Sequence, residues 1–263
     1  MLNTNEVFIH PTAIVGSKVE LGSGTKIGPY AIVEDGVVLG KNCDVKSHAI
    51  LMGNTTLGDD CTVFPFAVIG AQPQHLGYKD EPTTVEVGNR VTLREGVTVH
   101  RGTSFARGKT TIGDDSFLMG GVHVAHDCEI GRHVIVVNGV GLAGHVVLED
   151  FVTVGGMTGV GQNCRVGRYS YIGGESSIRK DLPPFLVGKG HDFQVQGINA
   201  IGLERRGFNA ETISRLKKIY KIFYLQSLTV SQAVEKILAE VGQTDEAKVF
   251  IDFVTHSKMG CIR

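Results

Sequence analysis

The sequence predicts an all-β solenoid, a triangular parallel β-helix of hexapeptide repeats from residue 9 to about residue 180, followed by an α-helical domain. Three observations support this prediction: aliphatic residues recur at every sixth position, small residues precede most of them by two positions, and helical signals begin only after Pro184. A period of six fits neither an α-helix nor an alternating strand of ordinary length, but it suits a short strand followed by a tight turn. Three such units would close one coil.

The six-residue period takes the form of long unbroken runs of isoleucine, leucine and valine. The runs cover positions 9–69 and 112–178, with Val87, Leu93 and Val99 between them. Each unit of a solenoid buries its apolar face only against its neighbours, so we expect these side chains to fill the bore of the coil. Glycine often follows the aliphatic residue, and we expect it to provide the backbone angles of the corners.

Two interruptions of the period predict inserted loops, near residues 71–86 and 101–111. Insertions in solenoids cluster on one face and commonly build the functional site. The prolines of the segment DLPPF mark the exit from the repeats. We therefore assign residues 1–184 to the β-helix domain and residues 185–263 to the helical domain.

Composition limits the classes of protein to consider. The formal net charge is −1, which gives no indication of a nucleic-acid or membrane-surface binder. No long uninterrupted apolar run is present, so we expect no integral membrane segment and a cytoplasmic protein. The five cysteines form no C-x-x-C pair and favour reduced thiols. Four of them stand at the small-residue position of the hexads, where we expect them to point inward.

The segment after residue 200 carries helix signals. We expect three helices: the first is capped by Asn209, the second begins with a capping box of Thr229 and Gln232 and ends near Gly242, and the third runs from Thr244 to about Met259. Basic residues are frequent where the first of these helices begins: Arg205, Arg206, Arg215, Lys217, Lys218 and Lys221. This basic face is either an ordinary solvated helix surface or a dock for an acidic partner or for phosphates.

The pair His126-Asp127 is the strongest candidate for chemistry. A carboxylate beside an imidazole fixes its tautomer and raises its basicity, as a general base requires. In coils of three hexads, His126 shares one column with Gly144 and Gln162, and His145 lies beside that column. Two other interpretations remain: plain surface histidines, or a zinc site formed by three imidazoles across a subunit boundary.

Four segments carry a more specific resemblance: HVAHDCEIG (123–131), GLAGHV (141–146), GGMTGVGQ (155–162) and IGLERRGF (201–208). Together with the hexads, they resemble the acyl-[acyl-carrier-protein]:UDP-N-acetylglucosamine O-acyltransferases, which start lipid A synthesis in Gram-negative bacteria. The resemblance covers essentially the entire chain. It implies a left-handed parallel β-helix, a homotrimer with active sites in the clefts between subunits, and acyl carrier protein and a UDP-amino sugar as partners. It implies no cofactor and no metal, since the carrier-protein thioester is the co-substrate.

The resemblance also implies roles for individual residues. His126 corresponds to the general base that takes the proton from the sugar 3-hydroxyl, Asp127 to its orienting partner, and the Gly144 N–H to the oxyanion donor. Positions that contact substrate are His75, His123, His145, Gln162, Asn199 and Arg205. Acyl length is set at Gly174, with Tyr171 nearby. The carrier-protein dock comprises Arg206, Lys217, Lys218 and Lys221.

Four positions depart from the family pattern. His75 and Gly77 stand where many members have an aspartate and a lysine, Gly161 replaces a histidine, and Ile201 replaces a glutamate near the uridine. These four departures leave the proposed base His126 in place, but they alter positions that contact the sugar nucleotide in the family. An alternative acceptor is therefore a 3-amino UDP-sugar, which would give an amide. A remote alternative from another class is a γ-type zinc carbonic anhydrase, which shares the β-helix.

Overall fold

A computed structural model of the protein describes residues 6–263. Its β-helix consists of three sheets, here called A, B and C, and successive strands pass from one sheet to the next. Sheet A contains β1 (Phe8–Ile9), β4 (Lys26–Ile27), β7 (Asp44–Val45), β10 (Thr62–Val63), β13 (Thr92–Leu93), β16 (Phe117–Leu118), β19 (Ile135–Val136), β22 (Thr153–Val154), β25 (Tyr171–Ile172), β27 (Leu186–Lys189) and β28 (Gln194–Ile198).

Sheets B and C complete the triangle. Sheet B contains β2 (Ile14–Val15), β5 (Ile32–Val33), β8 (Ile50–Leu51), β11 (Val68–Ala71), β14 (Thr98–His100), β17 (His123–Val124), β20 (Gly141–Leu142), β23 (Gly159–Val160) and β26 (Ser177–Ile178). Sheet C contains β3 (Glu20–Leu21), β6 (Val38–Leu39), β9 (Thr55–Leu57), β12 (Thr84–Val87), β15 (Lys109–Ile112), β18 (Glu129–Ile130), β21 (Val147–Leu148) and β24 (Arg165–Val166).

The strands pair in parallel, each with its equivalent in the next coil. Ile27 pairs with Val45 within the regular repeats, and Thr92 pairs with Phe117 across the second loop. The first loop leaves the prism after Ala71 and returns at Thr84. The coils thus stay in register, and both insertions leave the wall of the prism as loops, as the two interruptions of the period predict.

The hexad residues form the core. From Ile27 onward they are buried, and the four hexad cysteines point into the same bore. Ile9, however, is 44% exposed because it lies in the first coil and no earlier coil covers it. The prediction of inward-facing aliphatic residues is therefore confirmed for the interior coils and fails only at the open end.

The corner glycines have a different role from the expected one. The left-handed backbone conformation lies three residues after the aliphatic position, as at Asp60 (φ 58°) and Phe66 (φ 64°). Of the glycines that directly follow the aliphatic residue, Gly70 alone has a positive φ among the described residues. A Cβ at Gly22 would lie 2.4 Å from the carbonyl carbon of Gly40 in the next coil. These glycines are required because stacked corners approach closely, so the expectation about backbone angles was wrong.

The chain continues the prism briefly after the prolines. β27 pairs in parallel with β25, and β28 returns antiparallel to it. Four helices follow: α1 (Ala200–Arg205), α2 (Ala210–Leu225), α3 (Val230–Glu240) and α4 (Asp245–Thr255). No helix in the described part of the chain is long and apolar enough to cross a membrane.

The two predicted caps, Asn209 and Thr229, are present, and Thr244 caps the third of the longer helices. Asn209 accepts a hydrogen bond from the Thr212 N–H, and Thr229 forms a full capping box with Gln232. Thr244 caps α4, which ends at Thr255 and not near Met259. The short hairpin β27–β28 and the helix α1 had not been predicted, because elements of four to six residues carry little periodic signal.

Candidate active site

His126 and Asp127 form the corner between sheets B and C. The Nδ1 of His126 lies 2.9 Å from the Oδ2 of Asp127, and both side chains are almost completely buried. A carboxylate oxygen accepts hydrogen bonds only, so Nδ1 carries the proton and Nε2 remains free to accept one. The predicted base and its partner are therefore in contact, in the tautomer that a general base needs.

Thr103 holds the other side of Asp127. The Thr103 N–H lies 3.1 Å from both carboxylate oxygens, and its hydroxyl donates to Oδ2 at 2.6 Å. Thr103 is completely buried although it belongs to the second inserted loop. Sequence reasoning missed this residue, because the hexad register is lost within the loop.

Two further imidazoles approach His126. The ring of His145 lies 5.0 Å from it and the ring of His75 lies 5.4 Å from it, both in edge-on orientation. His75 comes from the first loop and also contacts Phe105 of the second, with ring centroids 4.8 Å apart. Both loops thus contribute side chains near the corner that holds His126 and Asp127.

His100 and His123 form a second imidazole pair on sheet B. Their ring centroids are 5.0 Å apart, and the His123 Nδ1 lies 2.8 Å from the Thr98 hydroxyl. Burial, with His123 and His126 nearby, lowers the pKa of His100 to about 4. Burial also lowers the pKa of His123 and of His145 below the usual value for histidine. These three rings are therefore uncharged at neutral pH.

Gly144 lies directly against the imidazole of His126. A Cβ at this position would be 2.7 Å from the His126 Cε1, so no side chain fits there while the imidazole stays in place. No described residue accepts a hydrogen bond from the Gly144 N–H. An unpaired N–H beside a base is available for a developing oxyanion. Gln162 lies at the same corner one coil further on and is exposed.

The corner also contains a possible metal-ligand set. One ligand atom each from His126, Asp127 and His145 lie within 4.8 Å of one another. Both oxygens of Asp127, however, already accept hydrogen bonds from Thr103, and Oδ2 also faces His126. Zinc in structural and catalytic sites needs at least three free protein ligands, and this arrangement offers two imidazoles. The residues present therefore fit a proton-transfer site better than a zinc site.

Two of the predicted nucleotide contacts, Asn199 and Arg205, lie away from the His126 corner. A cavity of about 690 Å³ over sheet A is lined by residues that include Tyr171, Asn199, Arg205 and Arg206. Asn199 uses its amide to cap α1 through the Gly202 N–H and to donate to the Tyr169 carbonyl. The Arg205 side chain is exposed at its rim. Two of the three predicted nucleotide positions, Asn199 and Arg205, thus line one cavity, whereas the third, Gln162, lies at the His126 corner.

This cavity and the corner that holds His126 and Asp127 do not meet within one chain. His126 lies at the edge between sheets B and C, whereas Tyr171 belongs to a strand of sheet A. Gly174 lies at the third edge, between sheets A and B, where a Cβ would be 3.2 Å from the Gly156 carbonyl oxygen. The residues that the resemblance assigns to one site therefore lie at separate places around the prism of a single chain.

The basic face of α2 is only partly available. Arg215 pairs with Glu211 and Glu246, and Lys218 pairs with Glu240 at 3.1 Å. Lys217 and Lys221 are exposed, and no described acidic group pairs with either. They are four residues apart on one helix and so lie on the same face.

The chain resembles known families in both domains. Residues 181–262 match the family model "Udp N-acetylglucosamine O-acyltransferase; Domain 2", and residues 18–53 and 109–144 match the bacterial transferase hexapeptide model. The acyl-[acyl-carrier-protein]–UDP-N-acetylglucosamine O-acyltransferase of Burkholderia thailandensis is 43% identical over 75% of this chain and 77% of its own length. The enzyme of the same name from Burkholderia mallei is 44% identical over the same shares of the two chains.

Solved structures agree with these relatives. LpxA from Acinetobacter baumannii superimposes with a TM-score of 0.95 and 39% identity, covering 97% of this chain and 100% of the other. The UDP-N-acetylglucosamine acyltransferase of Francisella novicida superimposes with the same TM-score and 34% identity, covering 97% of this chain and 94% of the other. The solenoid is accordingly a left-handed parallel β-helix with a C-terminal helical domain. The chain belongs to the family of acyl-[acyl-carrier-protein]–UDP-N-acetylglucosamine O-acyltransferases.

Proposed function

We propose that this protein transfers a 3-hydroxyacyl group from acyl carrier protein to the 3-hydroxyl of UDP-N-acetylglucosamine, the first step of lipid A biosynthesis. The observation that carries this proposal is the contact of His126 with Asp127 beside the unpaired Gly144 N–H. Acyl transfer from a thioester to a hydroxyl needs a base and an oxyanion donor, and these groups supply both.

The reaction proceeds in two proton-coupled steps. The Nε2 of His126 takes the proton from the sugar hydroxyl as its oxygen attacks the thioester carbonyl. The tetrahedral intermediate places its oxyanion on the Gly144 N–H, a bond typically worth about 3 kcal/mol in the transition state. Collapse breaks the carbon–sulfur bond, and the proton on His126 passes to the departing thiol. The products are the ester and the free carrier protein, and no cofactor is consumed.

The division of the site between edges of the prism supports a homotrimer. The catalytic corner lies between sheets B and C, whereas the cavity with Asn199 and Arg205 lies over sheet A. Three prisms around one axis would bring the corner of one chain against the sheet A cavity of the next. In this arrangement His126 of one subunit and Arg205 of its neighbour complete one site, with Arg205 binding the diphosphate.

The exposed lysines of α2 support a dock for acyl carrier protein. Such carrier proteins are strongly acidic, and complementary charge speeds association and fixes orientation. Lys217 and Lys221 are free to pair with a partner, whereas Lys218 is engaged by Glu240. The dock therefore depends on Lys217 and Lys221, together with Arg206.

We place the reaction in the cytoplasm, because both proposed substrates are water-soluble.

The acyl chain is proposed to end near Gly174. Gly174 is exposed at its edge, and Tyr171 is 41% exposed on the adjoining strand. A side chain at position 174 would project into the path of the hydrocarbon. Chain length follows from how much of that path is open, and a ladder of carrier-protein thioesters would measure it.

A 3-amino UDP-sugar is the second acceptor to test, because Gly77, Gly161 and Ile201 depart from the family pattern. The named relatives are O-acyltransferases, which favours the hydroxyl acceptor. A competition between 3-hydroxy and 3-amino acceptors decides the matter, since preferential amide formation would reverse the assignment. Stoichiometric zinc in the purified protein would revive the carbonic anhydrase hypothesis.

The central experiment replaces His126 by alanine. Mass spectrometry of products from UDP-N-acetylglucosamine and 3-hydroxyacyl carrier protein should detect the ester with the wild type. His126→Ala should lower turnover by about 10²–10⁴-fold while leaving the oligomeric mass unchanged. His10→Ala, at the far end of the prism, is the matched control. Near-normal turnover of His126→Ala would refute the assigned mechanism.

A further inference from the structure

We propose that Thr103 is a positioning residue for acyl transfer, acting through Asp127 on the orientation of His126. This inference rests on the proposed role of His126 as the general base. Thr103 is completely buried and gives Asp127 both its N–H and its hydroxyl. The three side chains form one hydrogen-bonded group. The hydroxyl of Thr103 and the Nδ1–H of His126 both donate to the carboxylate of Asp127.

The hydroxyl contact determines how Asp127 meets His126. The Oδ2 atom accepts from Thr103 at 2.6 Å and also lies 2.9 Å from the His126 Nδ1. Without these hydrogen bonds, the carboxylate of Asp127 could rotate about the two single bonds that join it to the backbone. Two donors on one oxygen fix that rotation, and with it the direction of the bond to the imidazole.

The loop itself is fastened, so Thr103 is a rigid support. The carbonyl of Thr103 accepts hydrogen bonds from Ala106 and Gly108, which closes a tight turn. The next residue, Ser104, donates to Glu81 of the first loop at 2.8 Å. Gly102 is required beneath it, because a Cβ there would lie 2.0 Å from the Lys109 nitrogen. The second loop thus brings the buried side chain of Thr103 to Asp127, and hydrogen bonds hold the loop on both sides of this residue.

The contribution of the Thr103 hydroxyl can be tested by a substitution that removes only this group. Thr103→Val keeps the shape and the backbone N–H, whereas Thr103→Ser keeps the hydroxyl. Thr110 provides a matched control, since its side chain is also fully buried and its hydroxyl has no partner among the described residues. Thr110→Val therefore makes the same chemical change without touching Asp127.

Steady-state kinetics with both substrates test the inference. Thr103→Val should lower kcat by about 10- to 100-fold, the range for losing a hydrogen bond to a charged group, with each KM within about threefold of the wild type. Thr103→Ser should restore kcat to within about threefold, and Thr110→Val should match the wild type. Circular dichroism and oligomeric mass establish that each variant is folded. If Thr103→Val does not fold, Thr103→Ala takes its place in the same comparison.

A double variant separates positioning from a merely structural role. If Thr103 acts through Asp127, then Thr103→Val should cost less than about twofold in kcat when Asp127→Asn is already present. A full multiplicative loss in the double variant overturns this inference alone. So does a wild-type kcat in Thr103→Val while His126→Ala shows its expected loss of turnover. Absence of acyl transfer by the wild type, or near-normal turnover of His126→Ala, overturns the proposed function and this inference with it.

Discussion

Asp127 turns its carboxylate toward the imidazole of the residue directly before it. Neighbouring residues in a strand point to opposite faces, but Asp127 adopts a left-handed backbone conformation with φ 60° at the corner of the prism. Its Oδ2 consequently lies 2.9 Å from the His126 Nδ1. The corner geometry therefore brings the side chains of two sequence neighbours into hydrogen-bonding contact.

Replacement of Asp127 by asparagine tests this contact. Asparagine tolerates the left-handed conformation, so the fold should persist. Its amide can donate to Nδ1, which would leave Nε2 carrying the proton and unable to accept one. We expect kcat to fall by about 10²–10⁴-fold with little change in either KM.

Asp115→Asn is the control for that variant. Asp115 occupies an equivalent left-handed corner with φ 59° and forms a surface ion pair with Arg90. Losing such a pair costs about 0–1 kcal/mol of stability and should leave kcat unchanged. Equal turnover of Asp127→Asn and the wild type would remove Asp127 from the mechanism.

His100 makes stability depend on pH. Burial lowers its folded pKa to about 4, below the ordinary value of 6.5, so the unfolded chain binds more protons between these limits. Stability is therefore complete above pH 6.5 and is lost as the pH falls toward 4, by at most about 1.4 kcal/mol per pH unit from this group. His123 contributes in the same direction, since burial lowers its pKa too.

The variant His100→Phe checks this dependence. It removes the titrating group and keeps an aromatic ring against His123. Its melting temperature should fall less than that of the wild type between pH 6.5 and 4, while the difference between the two proteins should be constant above pH 7.5. If the melting temperatures of the variant and the wild type changed in parallel with pH over the whole range, the prediction would be contradicted.

The hexad period made most of the prism and part of the site predictable. Once the coil length is known, His126, Gly144 and Gln162 fall in one column without any tertiary information. The contact between Asp127 and His126 was predictable because the two residues are adjacent in the sequence. Cap residues such as Asn209 and Thr229 likewise identify helix starts, because a local hydrogen bond determines them.

Thr103 could not be predicted in this way. It reaches Asp127 from a loop in which the register is lost, so its distance along the chain carries no information on its position in space. The pairing of Lys218 with Glu240 is similar, because it joins α2 to the end of α3 and depends on helix packing. The sequence period predicts contacts that recur in every coil, whereas each of these two contacts occurs at a single place.

The close approach of corner glycines predicts a steep cost for a single methyl group. A Cβ at Gly113 would lie 2.6 Å from the carbonyl carbon of Gly131 in the next coil. Backbone in a stacked coil cannot yield as a side chain can, so we expect Gly113→Ala to lower the free energy of unfolding by about 1–3 kcal/mol. Differential scanning calorimetry should record a lower melting temperature.

Gly141→Ala is the matched control for stability. No atom lies within 4 Å of a Cβ at Gly141, and its φ is not positive. The melting temperature of this variant should equal or slightly exceed that of the wild type, because alanine restricts the unfolded chain. A similar loss in both variants would mean that glycine is required for some reason other than corner spacing.

The two free lysines of α2 predict a charge-dependent affinity for the acyl donor. Lys217→Glu with Lys221→Glu changes the charge by four units on one helix face and should raise KM for the carrier-protein thioester by about tenfold or more at low ionic strength. Added salt should reduce the difference in donor KM between the double variant and the wild type, since both lysines are exposed and their charges are screened. KM for the sugar nucleotide and kcat should change little, because neither lysine lines the catalytic corner.

Two controls make this prediction specific to α2. Lys218→Glu removes the partner of Glu240 and should affect donor KM less than the double change at its neighbours. Lys41→Glu alters net charge at an exposed site in the early coils and should leave donor KM unchanged. A short phosphopantetheine thioester without the protein carrier should react equally with all variants, because it lacks the acidic surface. An unchanged KM for the full carrier protein in the double variant would mean that it docks on another face.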